Sequence, residues 1–292
     1  MTLEAFGAWQ IAVIVLVIAA SAFVHGIIGF GFPIMAMPVL SAVFDTRTAV
    51  LLTIVPIIAI IMISSLRGGS LRDSIGRFWF LPVFTALGGV VGTKLFLLAP
   101  TSLLTLLLAV FILLYLLLDR FGPGRFAFVH RHWVPFAAVF AFGAGITETT
   151  VNIGVPLLLI YFMLAGVETL AMVQAINFIF LFSKLVQLGG LVAADALPPA
   201  AVAAVSPLVV AAVVPLFAGM RIRDRFDVAT YRKALRVFLW IAAAMLFARW
   251  GNEALFTAPG PQPRGEVEQR LVAVRPPHEG HADGAAVHGA RG

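Results

Sequence analysis

The sequence predicts an all-α integral membrane protein of two inverted repeats, each a broken or re-entrant helical hairpin followed by three transmembrane helices. Three observations predict it. The chain of 292 residues is 61% hydrophobic and only 12% charged, whereas soluble domains average about half apolar and about a quarter charged. Apolar runs approaching the roughly 18 residues of a spanning helix recur along it. The order of features in the first half returns in the second, with the charged loops exchanged. Lipid admits only helices and closed barrels, and the runs lack the alternation of a barrel strand.

The first run, 11–24, continues into the interrupted stretch VHGIIGFGFPIMAMPVL (24–40). Spans follow at 49–66, 78–93, 103–118, 168–183, 200–219 and 235–248. The start, MTLEAFGAWQ, carries one Glu and no Lys or Arg. A secretory signal wants a positive start, so the first run is expected to stay in the mature protein. The first repeat is placed at 1–125 and the second at 126–256. From Thr257 onward Pro, Gly and charges dominate, and 257–292 reads as a disordered tail. His278, His281 and His288 in it either bind a metal or are simply solvated. The absence of cysteine excludes disulfides and thiolate metal sites.

The repeat is read by setting GFGFPIMAMPVLSAVFD (29–45) against TETTVNIGVPLLLIYFM (147–163), with Pro38 on Pro156 at an offset of 118. SLRGGSL (65–71) then resembles VQLGGLV (186–192), and LPVF (81–84) resembles SPLV (206–209). Each half runs as a broken segment followed by three spans. Loop charge sets the orientation, because positive loops face the cytoplasm. In the first half Arg67, Arg72 and Arg77 follow the first of the three spans, and the next turn, LLAPTS, carries no charge. In the second half that order flips: LVAADALPP has only Asp195, and the next loop carries Arg221, Arg223, Arg225, Arg232, Lys233 and Arg236. Corresponding loops thus face opposite sides, which implies inverted repeats. Three spans reverse direction once, so each broken segment must return to its starting side. The protein is expected in the inner (cell) membrane, multi-pass, with both termini periplasmic. The linker with Arg120, Arg125 and Arg131 is then cytoplasmic, and Arg249 is the one charge out of place.

Breaks at membrane depth expose N–H and C=O groups, which is tolerated only where protein or a wet cavity satisfies them. Helix N-termini at such breaks attract anions. The stretches after Gly29–Gly31 and after Glu148–Asn152 are the two candidate ends, and pseudo-symmetry brings them together. Close packing is the other use of such glycines, expected for GGVVG (88–92). Glu148 lies among Thr147, Thr149, Thr150 and Asn152; it is either a boundary residue or a carboxylate that takes a proton or cation. Gln174, Asn177 and Lys184 share one helix face. Lys184 either snorkels to the interface or pairs with an anion. His25, a side-chain type that titrates near neutrality when unperturbed, is a coupling candidate or a packed core histidine. Substrate binding is assigned to Gly29, Gly31, Thr149, Asn152, Gln174, Asn177 and Lys184, and ion coupling to Glu148 and His25. No catalytic residue, metal or cofactor is expected: H-E-x-x-H, G-x-S-x-G and nucleotide-binding loops are absent from the sequence.

GIIGFGFPIMAMPVL, the following TRTAVLLTIVPIIAIIMISSLRGGSL and the second-half echo resemble the TauE/SafE sulfite exporter family, also called the toluene-sulfonate uptake permeases. The resemblance covers about residues 8–250. It implies a secondary transporter of small sulfur-containing anions such as sulfite or sulfonates. Many relatives are richer in glycine where this chain reads GITETTVNIG, which marks that run as the place of specialisation. The expected mechanism is alternating access around the broken helices, coupled to protons. The alternatives are a carrier or channel for another small anion and, further off, a membrane-embedded enzyme. The expected partners are the anion, a coupling proton and the bilayer, with no nucleic acid; a homodimer is the default assembly, because two-fold assemblies are commonest.

Overall fold

The computed structural model describes residues 6–67, 76–118, 133–165, 167–223 and 228–256. Arg72, Arg120, Arg125, Arg131, Arg225, the repeat boundary at 125 and the tail 257–292 lie outside the described residues. Among those described, the chain is all helix. The first half holds α1 (Ala8–Ile28), α2 (Phe32–Val43), α3 (Thr46–Leu66), α4 (Leu81–Leu98) and α5 (Thr101–Leu118). The second holds α6 (Trp133–Val151), α7 (Val155–Leu164), α8 (Thr169–Ala193), α9 (Pro199–Val205), α10 (Pro207–Ile222) and α11 (Val228–Phe256). Four helices, α1, α3, α4 and α8, are long and apolar enough to cross a membrane, and the pair α9–α10, bent by 41°, makes a fifth if taken as one span.

The two broken segments are hairpins. Phe6, before α1, meets Phe44, after α2, ring against ring at 5.3 Å; the chain leaves one end, turns at Gly29–Gly31 and comes back. In the second hairpin Gly143 of α6 faces Leu157 of α7, and farther from the turn Phe140 faces Tyr161 at 6.3 Å. With 12 and 10 residues, α2 and α7 are too short to cross the roughly 30 Å apolar layer alone. The hairpins open toward opposite ends. The first opens beside the start of α3, where Arg47 donates to the Ala99 carbonyl that ends α4 at 2.7 Å. The second opens beside Phe78, just ahead of α4, whose ring meets Phe162 at 5.0 Å.

The correspondence of helix breaks between the two halves differs from the sequence alignment. The breaks put Gly29 on Asn152, Gly31 on Gly154 and Pro33 on Pro156, all 123 residues apart, and the residues before α3 and α8, Asp45 and Glu168, keep that spacing. Pro38 therefore does not match Pro156; it sits inside α2. The physical marker is the helix start. Proline fits the first turn, where its missing N–H has no helical partner, and Pro33 and Pro156 both take the second position of their short helices.

Close glycine contacts seat the hairpins. A Cβ on Gly88 would strike the Phe142 carbonyl, one on Gly92 the Ile146 carbonyl, and one on Gly145 the Thr85 carbonyl. Thus GGVVG packs α4 against α6, as expected. The other half repeats the device: Gly219 of α10 lies against the Phe23 carbonyl, and Gly26 of α1 against that of Leu216. Phe23 and Ile146 are again 123 residues apart. At the core, α3 and α8 run in opposite directions. Ser65, late in α3, accepts from Gln174, early in α8, while Thr53, early in α3, lies near Lys184, late in α8, through Asn152. Arg249 of α11 is not misplaced: its guanidinium donates to the carbonyls of Ser41, Ala42 and Phe44 and so caps the end of α2.

Candidate functional site

The hairpin turns are strained where their sequences permit it. Gly29 and Gly31 hold φ of +92° and +106°, and Asn152 holds +59°. L-residues avoid this left-handed region; glycine enters it freely, and asparagine more readily than most. At the first tip the Gly29 N–H returns to the His25 carbonyl at 2.6 Å. Asn177 of α8 braces the turn, donating to the Gly29 carbonyl at 2.7 Å and to its own helix at Val173. His25 is buried, its Nε2 is 3.2 Å from Ser64 Oγ, and its Nδ1 has no hydrogen-bond partner.

The second tip is fully tied. Lys184 of α8, 0% exposed, lies 3.2 Å from Glu148 Oε1. Its ammonium also donates to the Glu148 carbonyl at 2.8 Å, to Asn152 Oδ1 and to Gln187 Oε1 at 2.9 Å. The other carboxylate oxygen of Glu148 accepts from the Gly154 N–H, at the start of α7, at 2.9 Å. Gln187 caps the Thr149 carbonyl at 2.6 Å, and Asn152 donates to Thr53 of α3 at 2.9 Å. A buried ion pair holds only when its remaining donors and acceptors are also met, and here they are.

The tips meet. One small cavity, about 10 Å³, is lined by His25, Gly31 and Pro33 from the first tip and by Glu148 and Val155 from the second, with Asn177 beside them. That is about the space needed for one water. Toward one end lies a larger cavity of about 230 Å³, which reaches Gly29, Ser64 and Gln174 and is flanked by Arg67 and Arg223. A third, about 550 Å³, shares Arg67 and Met220 with it and is also lined by Arg221. The arginines that end α3 and α10 thus share one end of the molecule, as the loop charges require.

Of the nine residues chosen from the sequence, His25, Gly31, Glu148 and Asn177 line the central cavity. Gly29 and Gln174 line the larger one. Asn152 and Lys184 belong to the tied network behind Glu148. Thr149 is turned toward backbone, donating to the Gly89 and Gly145 carbonyls. Lys184 does not snorkel; it is held inside. Sequence reasoning passed over Gln187, Thr53 and Ser64. Gln187 was within reach, one helical step beyond Lys184 on the same face. Thr53 and Ser64, the latter beside Ser65, are hydroxyls in an apolar helix, and such a hydroxyl usually bonds its own helix; nothing local marks these two as brace and histidine partner.

No curated protein and no solved structure matches the chain. A family description does match: "Sulfite exporter TauE/SafE", over residues 13–246. The match takes in both hairpins, the cavity between their tips and both core helices, and so this multi-pass membrane protein belongs to the TauE/SafE sulfite exporter family, a family of transporters.

Proposed function

We propose that the protein is a secondary carrier of a small organosulfur anion, with the binding site between the two hairpin tips and a coupling proton on His25. The observation that carries this reading is the meeting of two broken helices at one small cavity where His25, Glu148 and Asn177 converge among apolar side chains. The two halves are inverted repeats on this reading: their hairpins open toward opposite ends and α3 and α8 run in opposite directions. Helix starts at the centre of a bilayer favour anions. The N-terminus of α7 already has one in the Glu148 carboxylate. The N-terminus of α2, behind Gly31, has no side-chain cap. The substrate anion therefore belongs at the first tip, beside His25. Gly29, Gly31, Gln174 and Asn177 form its surroundings, and Thr149, Asn152 and Lys184 hold the second tip in place.

A cavity of about 10 Å³ cannot hold sulfite. Binding needs the tips to part, and parting toward alternate ends is alternating access. Around His25, α3 contributes Ser64, Ile57 and Ile61, α8 contributes Asn177, and Glu148 is the charge across the cavity. Glu148 is engaged by Lys184, whereas His25 Nδ1 has no hydrogen-bond partner, and the coupling proton is assigned to His25 on that ground. The arginine-bearing end faces the cytoplasm of an inner membrane, with both chain termini on the periplasmic side.

The test is flux in proteoliposomes loaded with sulfite, taurine, sulfoacetate or chloride, with and without a pH gradient. Saturable counterflow of a sulfur anion, accelerated by the gradient, is expected. His25→Gln should keep counterflow and lose the acceleration. Gradient-driven uptake unchanged in His25→Gln would remove the histidine from coupling. Flux that never saturates would replace the carrier with a channel.

A further inference from the structure

The cavity of about 230 Å³ outside the first tip has features the carrier reading does not use. Arg67, at the end of α3, and Arg223, at the end of α10, both line it. They come from different halves of the chain. Among the described residues the ion pair is Lys184–Glu148, and neither arginine has a carboxylate partner. Arg67 is held in place by the ring of Phe217, 4.6 Å below its guanidinium carbon. Two like charges on one cavity repel unless an anion joins them, and planar guanidinium forks suit oxyanions. Leu170, Val173 and Met220 give the cavity apolar surface, and Gln174 adds an amide. Gly29 and Ser64 also line it, and Ser64 is the hydrogen-bond partner of His25.

We propose that this cavity is an anion-capture site separate from the central one, taking a small oxyanion that carries a short apolar substituent. The charged head sits between Arg67 and Arg223; the substituent lies on Leu170, Val173 and Met220. Its volume is below the roughly 300–1,000 Å³ of sites that enclose drug-sized ligands, so the ligand is a short-chain sulfonate or carboxylate. The captured anion lies one side chain, Ser64, from His25. The role of this site in transport rests on the carrier reading; its capacity to bind does not.

Calorimetric titration of the full chain in neutral detergent at low salt tests it, with 1-propanesulfonate and sulfite as probes. Propanesulfonate is expected to bind more tightly than sulfite, and Arg67→Gln/Arg223→Gln to weaken its Kd at least tenfold while flattening its salt dependence. Leu170 lines the cavity with the arginines; the carboxylate of Leu170→Glu should occupy them and abolish binding. An unchanged Kd in both arginine and Leu170 variants would overturn the site, even if the protein transports sulfur anions. Arginine-dependent binding without any flux would keep the site and remove the carrier. Displacement by phosphatidylglycerol with no binding of either free anion would overturn it and give the arginines to lipid headgroups.

Discussion

Three residues before the end of α1 stands His25; three residues before the end of α6 stands Glu148. The two occupy the same place in the two hairpins, 123 residues apart, and look into the same cavity. Their surroundings differ. Glu148 is held by Lys184 and the Gly154 N–H, with Gln187 and Asn152 completing the lysine's shell. His25 shares one bond with Ser64 and keeps one nitrogen unpartnered. The second tip is locked by charge; the first is seated mainly by glycines. One scaffold thus sets a tip held by a buried ion pair opposite a tip held without one.

The strongest way to break this comparison is to unlock the second tip. Lys184→Met leaves the Glu148 carboxylate buried without its counter-charge and is expected to cost about 3–5 kcal/mol, read as a large fall in Tm in detergent. Lys184→Met/Glu148→Leu should recover most of that loss. His25→Leu, at the matching place, should move Tm far less. Equal losses at the two tips would end that distinction.

Glycine seating should be common to both halves. Gly26→Ala and Gly92→Ala each drive a methyl into backbone carbonyls, and each should cost about 1–3 kcal/mol by overpacking. Gly31→Ala meets no atom within 4 Å and pays only for its left-handed φ. Thermal unfolding of the three side by side checks this; a Gly31→Ala loss as large as the others would mean that backbone strain, not packing, seats the tips. The smallest effect concerns Asn152. Both Asn152→Ala and Asn152→Gly remove the amide, so their difference isolates the φ of +59°. Asn152→Gly should be the more stable by about 1 kcal/mol.

Much of this was legible in the chain. Apolar runs announced the helices, because only buried or lipid-facing helices tolerate so little charge. Gly29, Gly31 and Pro33 announced the first break, and Asn152–Gly154 with Pro156 the second. The paired polar face of α8 was visible in the spacing of Gln174, Asn177 and Lys184. The register was misjudged at Pro38 because two prolines in similar apolar surroundings are indistinguishable until one is seen at a helix start. Arg249 looked misplaced for a related reason: the carbonyls it caps belong to α2, some 205 residues away.

By itself the sequence determined the helices, the places where they must break and the polar residues spent on those breaks, since these follow from local composition and backbone preference. Only the tertiary structure decided that the breaks are hairpin tips meeting at one cavity, that Glu148 is neutralised by Lys184 across 36 residues of chain and that Arg67 and Arg223 share a wall. Ion pairs and cavities arise between elements distant in sequence, and the packing of carbonyls against glycines, which no local pattern encodes, brings those elements together.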